Sequence, residues 1–323
     1  MASPNAVFTE LVSTTFRKHS KDIKDNVSKN NALLRRLTDK KQTRSEDGGL
    51  TITTPLDYAS NGTYQRYSGY DVLNVGASDV ISAAEFAWRQ IAINVVASGL
   101  ELRTNSGDAR IINLVKARMK NAIRTFKNNF SADLYSDGTL PNQIGGLQAI
   151  VPDNGLGTVG GIDSSAWPFW QSLVQSAAAP LQGGAGITPG PTTMESLMLP
   201  LWLALIRGDD QPDLIVSDNN YFSLFEQSQT SIKRYTGSDS ASAGFVELKY
   251  KKADVIFDGG SGIPTNHMYF LNTDYIELVT HKDANMEVMD EMKPYNQDAA
   301  VVPILWMGNM VTGNRSLQGV LKA

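Results

Sequence analysis

Apolar side chains recur at three- and four-residue steps along one stretch: Ile112, Val115, Met119, Ala122/Ile123, Phe126 and Phe130. That spacing predicts a helix over 108–135, with the Asp108 carboxylate in its N-terminal turn, where it favours the helix dipole. It is the clearest helix signal in the chain. Before it, Ile91, Ile93 and Val95 alternate with polar or small neighbours, which predicts strand within 78–102. After it, the pattern predicts a helix over 193–207, a strand over 213–217 and a short helix over 219–227. Val246, Leu248 and Tyr250 alternate with Glu247, Lys249 and Lys251, the mark of a half-buried strand. Segments 268–279 and 299–310 read as further strands. The order is α+β, with no regular βαβ repeat.

Residues 47–78 predict a long hairpin. Leu50-Thr51-Ile52-Thr53-Thr54 is β-branched and extended, and Asn61-Gly62 is a strong two-residue turn signal because both residues accept positive φ. The return limb is read through Tyr64, Tyr67, Tyr70, Val72 and Leu73. Half of this segment, extended at ~3.3 Å per residue, reaches ~50 Å, whereas a compact chain of this size has a radius of gyration near ~20 Å. An isolated two-stranded hairpin of that length is not stable in water. It must lie on another subunit or fold back onto its own body.

Charge is unevenly distributed. The net value is −4 over 323 residues, but residues 1–46 carry ten basic and five acidic side chains, so a +5 segment precedes a −9 remainder. Apolar residues in 1–46 are sparse, which predicts an arm that orders on a partner; the alternative is a solvated tail. The helix over 108–135 has a basic face: Arg110, Lys116, Arg118, Lys120, Arg124 and Lys127. Such faces are usually solvated, and the other reading turns this one inward to packaged nucleic acid. The longest apolar run, 197–206, is broken by Pro200. It is too short for a membrane span, which needs ~20 residues. The first five residues lack the basic start and apolar core of a secretory signal, so the expectation is a soluble protein that stays where it is made, with no membrane partner.

Catalytic patterns fail on context. With no cysteine there is no disulfide, thiol nucleophile or cysteine-bound metal. Gly155-Leu156-Gly157-Thr158-Val159-Gly160 matches G-x-G-x-x-G, but the chain continues as loop through Gly161 to Pro168, not as the helix a dinucleotide needs. Ser217-Asp218-Asn219 copies a β-lactamase triplet without its S-x-x-K partner. His19, His267 and His281 stand apart, and Asp209-Asp210 and Asp283–Glu287 lack the glycine and distal glutamate of a calcium loop. The expectation is no enzyme, no cofactor and no metal.

At this point the chain resembles the major capsid proteins of tailed phages with the Hong Kong 97-like fold. The order of elements carries the resemblance over most of the length: polar arm, extended hairpin loop, strand material, long helix, then a glycine-rich half. Locally, Gly145-Gly146-Leu147-Gln148-Ala149-Ile150, then Thr158-Val159-Gly160-Gly161-Ile162-Asp163 and Trp167-Pro168-Phe169-Trp170, is similar to a run seen in that family.

The resemblance implies an N-terminal arm (1–46), an extended loop (47–78), a peripheral domain with a spine helix (79–175, with 301–323 returning to it) and an axial domain (176–300). It implies hexamers and pentamers closing into an icosahedral head shell around double-stranded DNA, inside a virion assembled in the host cytoplasm. Tyr58, Asn61, Gly62, Tyr64, Arg66, Tyr67 and Tyr70 are the expected inter-subunit contacts, and Arg110, Lys116, Lys120, Arg124 and Lys127 the inward basic face for non-specific DNA contact. The implied partners are a portal protein, a separate scaffolding protein, since 46 residues are few for a built-in scaffold, and a decoration protein. Some family members crosslink through a loop lysine; here no lysine lies between Lys41 and Lys116, so the expected shell lacks that bond. An encapsulin-like compartment shell of the same fold is the alternative, and a hydrolase with an unrecognised site the remote one.

Overall fold

The structure is a computed structural model in which residues 31–104, 108–229, 247–258 and 262–323 are described, except for the side chains of 102–104, 108–116 and 247. Residues 1–30 of the expected arm, including His19, lie outside them. The chain opens with α1 (Ala32–Asp39) and β1 (Thr43–Glu46), then β2 (Thr51–Asp57), β3 (Ile81–Ala87), β4 (Arg89–Ser98), α2 (Gly99–Thr104) and the long α3 (Asp108–Leu134). A short α4 (Leu147–Ile150), the small strands β5 (Thr158–Val159) and β6 (Ile162–Asp163), a 3-10 turn (Pro168–Trp170) and β7 (Leu173–Ser176) follow. The last half holds α5 (Met194–Ala204), β8 (Leu214–Ser217), α6 (Asn219–Ser228), β9 (Glu247–Tyr250), β10 (Ala253–Phe257), β11 (His267–Leu271), β12 (Ile276–Val288), β13 (Ala299–Thr312) and β14 (Gly319–Lys322).

Two sheets organise these elements: β1-β12-β13-β4, and β7-β14-β11-β8-β10-β9. The six-stranded sheet is apolar on both faces. Leu214, Val216, Tyr269, Leu271 and Val320 join the core formed with α1, α3 and the four-stranded sheet. Their neighbours Ile215, Met268, Phe270 and Leu321 face the other way, onto α5 and α6. Period-two alternation between two buried faces explains why β8 reads as one continuous apolar run. On α3, Met119, Ala122, Phe126 and Phe130 of the expected stripe are buried and Ile123 is half-buried, while the side chains of Ile112 and Val115 lie outside the described residues.

The structure corrects four expectations. First, the return limb of the hairpin is β3, not 64–73: Thr51 pairs with Ala87 and Asp57 with Ile81. Ala83, Ala84 and Glu85 have poor strand propensity, but burial of Ala84 and Phe86 against Ile52 and Leu56 outweighs it. Neither Asn61 nor Gly62 has positive φ, so they cannot form the expected hairpin turn. Asn61 instead accepts from Thr63 N at 2.9 Å and begins a loop over 58–80.

Second, residues 31–46 are packed on the body. Asn31 caps α1 by accepting from Leu34 N at 2.9 Å, and Leu33, Leu34 and Leu37 enter the main core. β1 then pairs in parallel with β12. Third, the strand expected over 268–279 divides into β11 and β12, because Asn272 caps a 3-10 turn over Thr273–Tyr275. Fourth, β12 pairs with β13 in the four-stranded sheet, while β14 sits in the six-stranded one. Domain limits at 175/176 and 300/301 therefore cut across both sheets. Long-range strand pairing, which local pattern does not encode, decides this.

Candidate assembly surfaces

The hairpin base is anchored and its far end is free. Ile52, Leu56, Ala84 and Phe86 pack with Trp170, Val279 and Val311, so the base belongs to the body. The anchor depends on Gly160-Gly161, whose φ values of +60° and +76° make the positive-φ turn joining β5 to β6. Gly160 accepts from Glu85 N at 2.9 Å, and a Cβ there would lie 2.7 Å from the Ala84 methyl. The T-V-G-G-I-D run is thus a small hairpin pressed against β3. Trp170 clamps it from below, donating Nε1–H to the Val159 carbonyl at 2.9 Å.

Gly145-Gly146 has a comparable reason. A Cβ on Gly146 would lie 2.4 Å from Ser136 N and 2.5 Å from the Asp133 carbonyl, so only glycine lets α4 dock against the end of α3. Gly145 N donates to Asn309 Oδ1 at 3.1 Å, and Asn309 Nδ2 donates to the Ala87 carbonyl at 2.9 Å. This links α4, β13 and the last residue of the hairpin.

Beyond the anchor, the loop over 58–80 holds its shape by polar contacts. Gln65 donates to the Val72 carbonyl and accepts from Asn74 N, both at 3.0 Å, and Gly62 N donates to Ser78 Oγ at 3.1 Å. Its large side chains are uncovered: Tyr64 is 80% exposed, Tyr67 65%, Tyr70 105%, Val72 92% and Val75 91%. Single exposed apolar residues are ordinary, whereas here five large side chains between Tyr64 and Val75 are uncovered together. Arg66, Asn61 and Gly62 are exposed on the same loop. Tyr58 differs, lying against Trp167 and Phe169 with ring centroids 5.7 and 5.9 Å away.

The basic face of α3 is partly placed. Lys120 and Arg124 are exposed and Lys127 is half-buried, while the side chains of Arg110 and Lys116 lie outside the described residues. Arg118 is not available as a free surface cation. It donates Nη2–H to Glu101 Oε1 at 2.6 Å and Nη1–H to the Val96 carbonyl, tying α3 to α2 and β4. The guanidinium and the Ser98 N–H together hold the Glu101 carboxyl down at about 2.

Some anchoring residues were not legible as such. Arg315 is fully buried with no carboxylate partner among the described residues, donating to the Ile150 carbonyl at 2.8 Å and the Gly157 carbonyl at 3.3 Å. Burial lowers its pKa to about 10. Asp258 accepts from the buried Tyr135 hydroxyl at the end of α3 and from Ala32 N at the start of α1. His267 bonds Asp153 at 3.0 Å and His281 meets Trp88 edge-on. Among the described residues, no group of three or more His, Asp or Glu is placed to hold a metal, and no helix is long and apolar enough to cross a membrane. The Ser217-Asp218-Asn219 triplet is the start of α6, where Asp218 accepts from Tyr221 N at 3.0 Å.

Two sheets and the long helix α3 share one core, and the hairpin packed on it carries an exposed loop. The chain is similar over 87% of its length to 90% of a chain in the capsid asymmetric unit of cyanophage A-1(L), with a TM-score of 0.60 at 15% identity. It is similar over 88%, to 88% of a chain from the capsid of a native GTA particle, with a TM-score of 0.55 at 11% identity. For the capsid of Myoviridae phage XM1 the TM-score is 0.50 at 10% identity, over 89% of this chain and 91% of that one. No protein-family model matches the sequence, and no curated protein does. The likeness is therefore one of fold, the fold of phage capsid proteins.

Proposed function

We propose that this chain is the major capsid protein of a tailed phage with the Hong Kong 97-like fold, self-assembling into hexamers and pentamers that close an icosahedral shell around double-stranded DNA. The observation that carries the reading is the uncovered loop over 58–80. A monomer gains nothing from holding Tyr64, Tyr67, Tyr70, Val72 and Val75 in water, whereas a shell buries them on a neighbour. The capsid-protein fold over nearly nine-tenths of the chain supports the same reading.

In this reading α3 and the four-stranded sheet form the peripheral part, the six-stranded sheet with α5 and α6 the axial part, and residues preceding α1 the arm. Lys120, Arg124 and Lys127 face packaged DNA and contact it without sequence preference. Portal, scaffolding and decoration proteins are the partners such a shell uses, and the site of action is the virion, after assembly in the host cytoplasm. The role is structural, not catalytic. Weak contacts suffice for closure, because loop and domain faces engage together at high effective concentration.

The test replaces 58–80 by a short glycine-containing turn, keeping β2, β3 and their anchor. Folded subunits or small oligomers without closed particles are expected by electron microscopy. Normal shells from this variant would overturn the assignment of the loop to assembly.

A further inference from the structure

Beside the hairpin base lies a small open pocket of about 190 Å³, whose lining includes Tyr58, Asp79, Ile81, Trp167 and Phe169. Its three aromatic rings stand close together, Trp167 meeting Tyr58 at 5.7 Å and Phe169 at 6.1 Å. The rings are not sealed, since Trp167 is about half exposed and Ile81 more so. Asp79 has no ion pair or hydrogen bond among the described residues, so its carboxylate is uncompensated. Aromatic faces with a neighbouring carboxylate favour a cation, and a planar guanidinium most of all, because it stacks while its N–H groups reach the acid. The volume is below the ~300–1,000 Å³ of pockets for drug-sized ligands, so it suits one side chain.

The complementary group lies on the same hairpin. Between Asp47 and Trp88 there are five acidic residues and one basic residue, Arg66. Arg66 is exposed between Tyr64 and Tyr67 and has no ion pair or hydrogen bond among the described residues. We propose that Arg66 of one copy of this chain docks into the Tyr58–Trp167–Phe169 pocket of a second copy, its guanidinium stacked on the rings and paired with Asp79. This rests on the assembly role proposed above and deepens it, naming the lock that sets where each loop lands. One cation matched to one acid-bearing pocket fixes register, while Tyr64 and Tyr67 supply contact area around it.

Charge reversal tests it. Arg66→Glu and Asp79→Arg are each expected to lower the yield of closed shells about tenfold or more, since each places like charges together. The Arg66→Glu/Asp79→Arg double variant is expected to recover shells. An equimolar mixture of the two single variants is expected to recover hexamers, because alternating subunits satisfy every contact. Both residues are exposed, and unchanged thermal unfolding of the unassembled variants confirms that folding is intact. Single variants that assemble like the parent, a double variant that does not recover, or a mixture that stays inactive while the double recovers would each overturn the proposal, the last by making the contact internal to one chain. A parent chain that forms no shells would instead overturn the assembly reading itself.

Discussion

Arg36 donates Nε–H to Asp213 Oδ2 at 3.1 Å, joining α1 to the start of β8 across 177 residues of sequence. The same guanidinium reaches Asp254 at 3.1 Å, and Lys40 lies 3.0 Å from Asp213 and 2.8 Å from Asp274. The positive segment and the negative body are thus partly complementary halves of one contact. Asp213 also accepts from the Thr273 N–H and hydroxyl, so it positions the turn before β12 as well.

Removing Arg36 leaves the buried Asp254 and the half-buried Asp213 each short of a donor. Arg36→Ala is expected to destabilise the subunit by about 1–3 kcal/mol. Lys282→Ala removes an exposed side chain paired with the exposed Asp47 and is expected to cost less than about 0.5 kcal/mol. Urea unfolding of unassembled subunits measures both; equal effects would contradict the anchoring role of Arg36.

Gly160 and Gly62 separate packing from simple glycine content. Gly160→Ala places a methyl at φ +60° and 2.7 Å from Ala84 Cβ. The expected cost is about 1–3 kcal/mol, with loosening of the hairpin base. At Gly62 the φ is not positive and the nearest atom to an added Cβ is Ser78 Oγ at 3.5 Å, so Gly62→Ala is expected to be neutral within about 0.5 kcal/mol. Thermal unfolding decides it, and a neutral Gly160→Ala would remove the reason given for the T-V-G-G-I-D run.

Glu101 makes an acid-sensitive tie between α2 and α3. Its carboxyl is lowered from the ordinary 4.5 to about 2 by Arg118 and by the Ser98 N–H. A depressed folded pKa contributes stability that is fully present above about pH 4.5 and is lost as pH falls through about 2. The melting-temperature difference between the parent and Glu101→Gln should therefore be constant above pH 4.5 and shrink towards pH 2. A difference independent of pH would contradict the tie.

Legibility followed the range of the interactions. α3 was readable because its stripe repeats through 27 residues, and β13 because its apolar pattern is long. The return strand of the hairpin was not, because Ala83-Ala84-Glu85 becomes strand only through contacts with Gly160 and Ile52. Turn chemistry was right in kind and misplaced, since the positive-φ pair is Gly160-Gly161 and not Asn61-Gly62. The docking of α1 left a usable trace in Leu33, Leu34 and Leu37 behind the Asn31 cap, outweighed by the many charges around it. The pairing of Arg36 with Asp213, and the burial of Arg315 against the Ile150 and Gly157 carbonyls, depend on distant parts of the chain and leave no local pattern. For the proposed assembly surface, the tyrosine cluster is legible as composition, but the pocket required the tertiary meeting of Tyr58 with Trp167 and Phe169.

The central claim is that this chain builds a closed shell, and electron microscopy of the purified full-length protein, across ionic strengths and with and without a scaffolding partner, tests it most directly. Uniform icosahedral particles, or hexamers and pentamers that convert to them, are the predicted result. A monodisperse monomer near 35.2 kDa under every condition would contradict it.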